Sequence, residues 1–294
     1  MNRPKSAWAV MSHRTRRAAL QGARLAAWWW TPARWPTPER YAAARHGSLD
    51  APAGELRVAL ARADGFADAA LEAGKRKNLA LAAPAFDGVV LAPDRPLSFW
   101  RTLGRAGADR GYTWGMELRG GCVVPAIAGG LCLLSNALFE LAVRAGWRIL
   151  ERHGHSLEAI PPAPGSVPLD ATVAWPDVDL VFAPRHGAAR LSVAIDADAL
   201  HVAAFAAEPP RERIELSLDE SIGQRGADRV RRSRVMRRRV DAAGALVAVE
   251  EVARSERRIL DAHELGKTCI RCGEHECRDR PSEAVLISLR TPRR

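Results

Sequence analysis

The stretch Gly129-Gly130-Leu131-Cys132-Leu133-Leu134-Ser135-Asn136-Ala137-Leu138-Phe139-Glu140-Leu141-Ala142-Val143-Arg144-Ala145-Gly146 decides the fold class of this chain. Its apolar residues at Leu131, Leu134, Leu138, Leu141, Ala142 and Ala145 follow the helical period, so the spacing predicts a helix from Leu131 to Ala145, stopped by Gly146. Directly beyond it, Trp147 to His155 alternates as a strand does. Further strand-like runs lie at Ala171 to Trp175, Val178 to Phe182, Arg190 to Ile195 and His201 to Ala206. An amphipathic helix amid several short strands buries its apolar face on a β-sheet, which makes the fold class α+β with a central helix on a sheet.

Four segments follow from working outward. Residues 1–48 form a basic helical arm, with a helix from Ser12 to Trp30 stopped at Thr31-Pro32. Residues 49–207 form the main domain, which opens with a helix from Asp64 to Ala83, ended by Pro84, and a short strand at Val89–Leu91. The Gly-rich stretch from Gly104 to Gly121 carries no element in this reading. Residues 208–266 read as a β-hairpin or meander around Ile214–Leu218 and Leu246–Val249, with a turn at Asp241-Ala242-Ala243-Gly244. Residues 267–294 form a short Cys-rich tail.

The chain has 294 residues, 47% of them hydrophobic and 27% charged, enough for a sizeable core and unlike a disordered or disulfide-framework composition. No apolar run approaches the roughly 18 residues that span a bilayer, and the first residues do not read as a secretory signal, so a soluble cytoplasmic protein is expected. The net charge of +10 is concentrated at the N-terminus, where Lys5 and eight Arg face only Glu39 within residues 1–48. Only four of the 44 basic residues are Lys, so Arg abundance is a property of the whole chain, and nucleic acid is not the expected partner. Arg16, Arg17 and Arg24 with Trp28, Trp29 and Trp30 would suit peripheral membrane contact through the arm; the favoured reading packs these indoles on the protein's own body.

Cys132 stands in the first turn of the predicted helix, where unpaired N–H groups and the helix dipole favour a thiolate. Strand alternation would place Glu151, His153 and His155 on one face, and Asp170 and Asp179 flank the next strands, available to orient an imidazole. One reading is therefore an enzyme: Cys132 as nucleophile, His153 or His155 as its base and Asp170 as orienting carboxylate, for acyl transfer or amide hydrolysis. A second is a His-x-His metal-dependent enzyme, with Glu151, Glu158 or Asp170 as third ligand to His153 and His155. A third is a binding module, whose polar cleft of Arg119, Ser135, Asn136, Glu151, Arg152 and Asp179, with His155 and Asp170, takes a peptidic or acidic ligand by guanidinium–carboxylate pairing. Separately, Cys269, Cys272, His275 and Cys277 offer three thiols and an imidazole within nine residues, the donor set of a zinc site.

Several motifs, taken together, resemble the VanW family, which is associated with B-type vancomycin resistance. They are Asn78 after Lys75-Arg76-Lys77, Pro96-Leu97-Ser98-Phe99, Gly111-Tyr112, the Gly-Gly-Leu-Cys-Leu-Leu-Ser-Asn helix start, Glu151-Arg152-His153-Gly154-His155-Ser156, Asp170-Ala171-Thr172-Val173 and Asp179-Leu180. The resemblance covers roughly Arg57 to Phe182. It implies a VanW-like mixed domain in a bacterial protein with a cell-envelope connection; the binding-module reading separately points to a peptidoglycan-related or acidic ligand. The chain departs from the family pattern at Ala128, where a third Gly is usual, and at Leu133, where a Gln usually follows the Cys; the second departure removes a side-chain amide from beside Cys132.

Overall fold

In a computed structural model, residues 13–31, 35–60, 68–119, 122–158, 165–260, 268–270, 272 and 281–290 are described. The elements of the arm and main domain are, in order, α1 (His13–Trp30), β1 (Glu39–Arg40), α2 (Ala43–His46), β2 (Ala51–Ala59), α3 (Ala69–Phe86), β3 (Val89–Leu91), β4 (Leu97–Ser98) and α4 (Phe99–Leu103). Then come β5 (Trp114–Arg119), β6 (Cys122–Ile127), α5 (Cys132–Arg144), β7 (Arg148–Glu151), β8 (Leu157–Glu158), β9 (Val181–Ala183), β10 (Ala189–Ile195) and β11 (Ala199–Ala206). A meander of β12 (Glu212–Arg225), β13 (Asp228–Asp241) and β14 (Leu246–Ile259) follows, and α6 (Glu283–Arg290) closes the order.

The fold is α+β. A five-stranded antiparallel sheet in the order β1-β3-β10-β11-β2 and a three-stranded sheet β4-β9-β7 carry α5 between them. The apolar stripe of α5 buries Leu134, Leu138, Phe139, Leu141 and Val143 completely or nearly so, against Phe86, Phe99 and Phe182. At about 25 cal/mol per Å² of apolar surface, each such side chain contributes roughly 1.5–3 kcal/mol on burial, which is what anchors the helix and sets where its first residue, Cys132, emerges.

The sequence reading and the structure differ where side chains override local pattern. The helix expected to end before Pro84 runs on to Phe86, since a proline in the last turn forfeits only one donor and the Asp87 N–H still reaches Ala83 O at 3.2 Å. Its start is capped by Asp68, which accepts from the Ala70 N–H at 3.0 Å; residues 64–67 of the expected helix lie outside the described ones. The strand expected from Trp147 to His155 stops at Glu151. Ala171 to Trp175 is not a strand either, because its backbone is satisfied elsewhere. Asn136 Oδ1 accepts from the Ala171 N–H at 2.8 Å, Ser135 Oγ donates to Ala171 O at 2.6 Å, and the Thr172 N–H donates to His153 O at 2.8 Å. The β5–β6 hairpin arises in the Gly-rich stretch, where Gly115 and Pro125 mask the strand signal.

The meander forms with 14 residues in each strand, and its arginines are engaged by carboxylates: Arg231 with Glu158, Arg232 with Glu256, and Arg237 and Arg239 with Glu250. In the arm, Trp28 is buried against Trp175 with ring centroids 5.3 Å apart and Arg24 pairs with Glu151 at 2.7 Å, whereas Trp29 and Trp30 are 85% and 83% exposed. Among the described residues no helix is long and apolar enough to cross a membrane. In the tail, Thr268 bridges Val123 of β6 and the Cys269 N–H donates to Val123 O at 3.0 Å, which buries Cys269 beside the hairpin.

Candidate active site

The turn Ala128-Gly129-Gly130 delivers Cys132 to the head of α5. Gly129 and Gly115 meet backbone to backbone: a Cβ on Gly129 would lie 2.4 Å from the carbonyl carbon of Gly115, so no larger residue fits without shifting the hairpin. Asn78 ties the same turn to α3, donating to Gly129 O and Thr113 O at 3.0 Å each and accepting from the Thr113 N–H at 2.9 Å. Ala128 itself has φ +61°, the left-handed region that disfavours a β-carbon. The N–H groups of Leu133, Leu134 and Ser135 close onto Gly130 O and Leu131 O, while the N–H of Cys132 takes no backbone acceptor among the described residues.

The half-buried Cys132 thiol meets donors from two directions. Thr172 Oγ1 lies 3.8 Å from Sγ, and the Val173 backbone and the His155 side chain are near enough to favour its thiolate. Burial pushes the thiol up, but the hydrogen bond and charge of His155, with the Val173 and Thr172 donors, outweigh it, and Cys132 is held below the ordinary thiol value. His155 uses Nδ1 for Asp170 Oδ2 at 2.8 Å, and because a carboxylate only accepts, that nitrogen carries a proton. Burial alone would lower the imidazole, yet hydrogen bonds to Asp170 and Cys132 and both negative charges raise it to about 9. Asp170 is pushed up by burial but brought down to about 2 by His155 and by the cations of Arg152 and Arg257. Cys132, His155 and Asp170 thus form a chain with the electrostatics of a thiolate–imidazolium pair backed by a carboxylate.

Arg152 supports this chain from behind. Its Nε donates to Asp170 O and its Nη2 to Asp170 Oδ1, both at 2.7 Å, its Nη1 donates to Arg254 O at 2.9 Å, and its guanidinium lies over the Phe139 ring of α5. With its fork spent on these partners, Arg152 is not an open carboxylate receptor. Ser135 and Asn136 hold the Asp170–Ala171 backbone to α5.

The remaining expected site residues lie apart from the thiol chain. His153 turns to Glu151 at 3.0 Å and Glu151 in turn takes Arg24, so His153 and His155 address different carboxylates; Glu158 is buried against Arg231 at 2.8 Å. The reason is the early end of β7: without strand alternation the two rings no longer share a face. Arg119 pairs with Glu117 at 2.8 Å on the β5–β6 hairpin. Asp179 is structural, accepting from Ser98 Oγ at 2.5 Å, the Trp100 N–H at 3.1 Å and the Leu180 N–H at 2.8 Å to fix the start of α4. Burial dominates those donors and raises its carboxyl to about 6. Of the zinc set, Cys269 and Cys272 are described, whereas His275 and Cys277 lie outside the described residues; among the described residues no group of three His, Cys, Asp or Glu forms a metal site.

Three participants escape a reading of the sequence alone. Thr172 lies within a quoted motif, but its role depends on a loop conformation that the strand-like alternation of Ala171 to Trp175 conceals. Ser255 and Arg257, 85 or more positions beyond Asp170, appear only as alternating positions of a β-strand, with nothing local to mark them.

The fold and this cluster define a class: a mixed α+β domain that presents a cysteine at a helix N-terminus to a His–Asp pair. Residues 74–205 match the family described as VanW like protein, so this segment is similar to a VanW-like domain. It is 33% identical over 106 residues to the Vancomycin B-type resistance protein VanW of Enterococcus faecalis (strain ATCC 700802 / V583), covering 35% of this chain and 38% of that protein. It is also 33% identical over 107 residues to the Uncharacterized protein YoaR of Bacillus subtilis (strain 168), covering 36% of this chain and 34% of that one. The shared stretch therefore spans little more than a third of either relative. No solved structure matches.

Proposed function

We propose that this protein is a cysteine-dependent acyl transferase or amidase acting on a peptidic envelope component. The observation that carries the reading is the contact chain Cys132–His155–Asp170, with the thiol at the head of α5 and the imidazole held by the carboxylate at 2.8 Å. In the first step Sγ bonds to the substrate carbonyl carbon. The oxyanion formed there is within the province of the Cys132 N–H, a backbone donor that takes the place of the side-chain amide lost with Leu133. The C–N bond then breaks as the leaving amine takes the proton of His155, leaving a thioester on Cys132. Water or a second amine next gives a proton to His155, attacks the thioester carbon and releases the thiolate, so the net reaction is hydrolysis or amide exchange. The peptidic substrate class rests on the relative's name, a vancomycin B-type resistance protein, and on the family resemblance of the site motifs.

The test is alkylation of the native protein by iodoacetamide across pH, followed by peptide mass mapping. Cys132 should react faster than free cysteine below the ordinary thiol range, since a depressed thiol carries a larger thiolate fraction there. A Cys132 that titrates as an ordinary thiol, or reacts no faster than the unfolded chain, removes the proposal. Turnover of peptidoglycan stem peptides, abolished in Cys132→Ala, would then assign the substrate.

A further inference from the structure

The carboxylate that holds His155 is itself held from outside the matched segment. Strand β14 pairs in parallel with β8, the two-residue strand that begins two positions after His155, in the register Arg258 to Leu157 and Ile259 to Glu158. That register, reinforced by the Arg258 N–H donating to Ser156 O at 2.9 Å and by the Arg231–Glu158 ion pair at 2.8 Å, places the inward side chains of β14 beneath the site. Ser255 and Arg257 are the inward residues there, 9% and 8% exposed. Arg257 Nη2 donates to Asp170 Oδ1 at 3.1 Å, and Ser255 Oγ accepts from Arg152 Nη2 at 3.1 Å.

We infer that Arg257 is a positioning residue of the Cys132 site, supplied by the C-terminal meander. This inference rests on the cysteine reading above and adds to it a second structural unit. Asp170 divides its two oxygens: Oδ2 takes the His155 ring and backbone N–H, and Oδ1 takes Arg152 and Arg257. A carboxylate free to turn about its Cβ–Cγ bond would exchange those roles. Two guanidiniums on Oδ1 stop that rotation and keep Oδ2 aimed at the imidazole. Arg152 alone does not suffice for this, because its own fork is shared with Asp170 O, Arg254 O and Ser255.

The charges that face the thiol and its partners are the His155 imidazolium, the Asp170 carboxylate, and the Arg152 and Arg257 guanidiniums, with the His153–Glu151–Arg24 group beyond them. Removing Arg257 takes away one cation and frees Asp170, and both changes disfavour the Cys132 thiolate. In full-length Arg257→Gln the pH midpoint of Cys132 alkylation should rise by about one pKa unit, seen as an about tenfold slower reaction at pH 6. Arg257→Lys keeps the charge without the planar fork and should fall between Gln and wild type. A part that merely held the fold would lower the melting temperature and leave the midpoint where it was.

An unmoved midpoint in folded Arg257→Gln overturns the inference. If that variant does not fold by circular dichroism, Arg257→Lys decides in its place, and a midpoint equal to wild type overturns it. Failure of the cysteine reading looks different: there the wild-type protein itself shows an ordinary thiol midpoint.

Discussion

Asp170 holds His155 twice with a single oxygen: Oδ2 accepts the ring Nδ1–H and the backbone N–H of the same residue, each at 2.8 Å. The ring is therefore fixed both in tautomer and in position, since the backbone bond ties the loop to the carboxylate that orients the side chain. In Asp170→Asn an amide replaces the acceptor, the imidazole adopts the other tautomer, and activity toward any acyl substrate should fall on the order of 10⁴-fold, as for the comparable carboxylate of Ser-His-Asp enzymes. The same change strands Arg152 and Arg257, both under 10% exposed, without their anion and should cost about 3–5 kcal/mol in urea unfolding. A variant of full stability would contradict the charge assignment.

Stability should depend on pH from both sides of the site. Asp170, lowered from 3.8 to about 2, contributes stability that is whole above pH 3.8 and is lost as pH falls through 2. His155, raised from 6.5 to about 9, contributes stability that is whole below pH 6.5 and is lost as pH rises through 9. The alkaline loss should be on the order of 3 kcal/mol. It is checked by urea titrations from pH 6 to 10, in which the alkaline decline should shrink in His155→Gln.

Asp179 behaves in the opposite sense. Its carboxyl is raised from 3.8 to about 6, so its contribution is whole below pH 3.8 and lost as pH rises through 6. Asp179→Ala would orphan the Ser98 hydroxyl and the N–H groups of Trp100 and Leu180, at a cost of about 2–4 kcal/mol. Cys132 alkylation in the folded variant should keep its wild-type midpoint, and a shifted midpoint would place Asp179 in the site after all.

Ala128 occupies a left-handed conformation at φ +61° where the family pattern expects Gly. Ala128→Gly should therefore stabilise the protein by about 1 kcal/mol, seen as a rise of roughly 2–4 °C in Tm. An unchanged or lowered Tm would mean that the lost unfolded-state restriction of alanine outweighs the relieved backbone strain.

Much of this architecture is legible locally. The helix at Cys132–Arg144 lies within one residue of the range its apolar spacing indicates, and β10, β11 and the Arg-rich meander stand where alternation puts them. The hairpin of β5 and β6 is not legible, because glycine and proline there dilute the period-two signal. His153 and His155 look equivalent in the sequence and are not: β7 ends at Glu151, and beyond it side-chain and backbone bonds to Asp170 replace strand geometry.

Periodicity by itself determined the α+β class and the helix that carries Cys132. It does so because helix and strand periods are written in neighbouring residues. Tertiary structure alone decided which imidazole meets the thiol, that Arg152 is spent on Asp170, and that Arg257 from the meander completes the support. Those outcomes depend on contacts between residues up to 87 positions apart, and the packing of α5, β8 and β14 sets their distances, which no local pattern encodes.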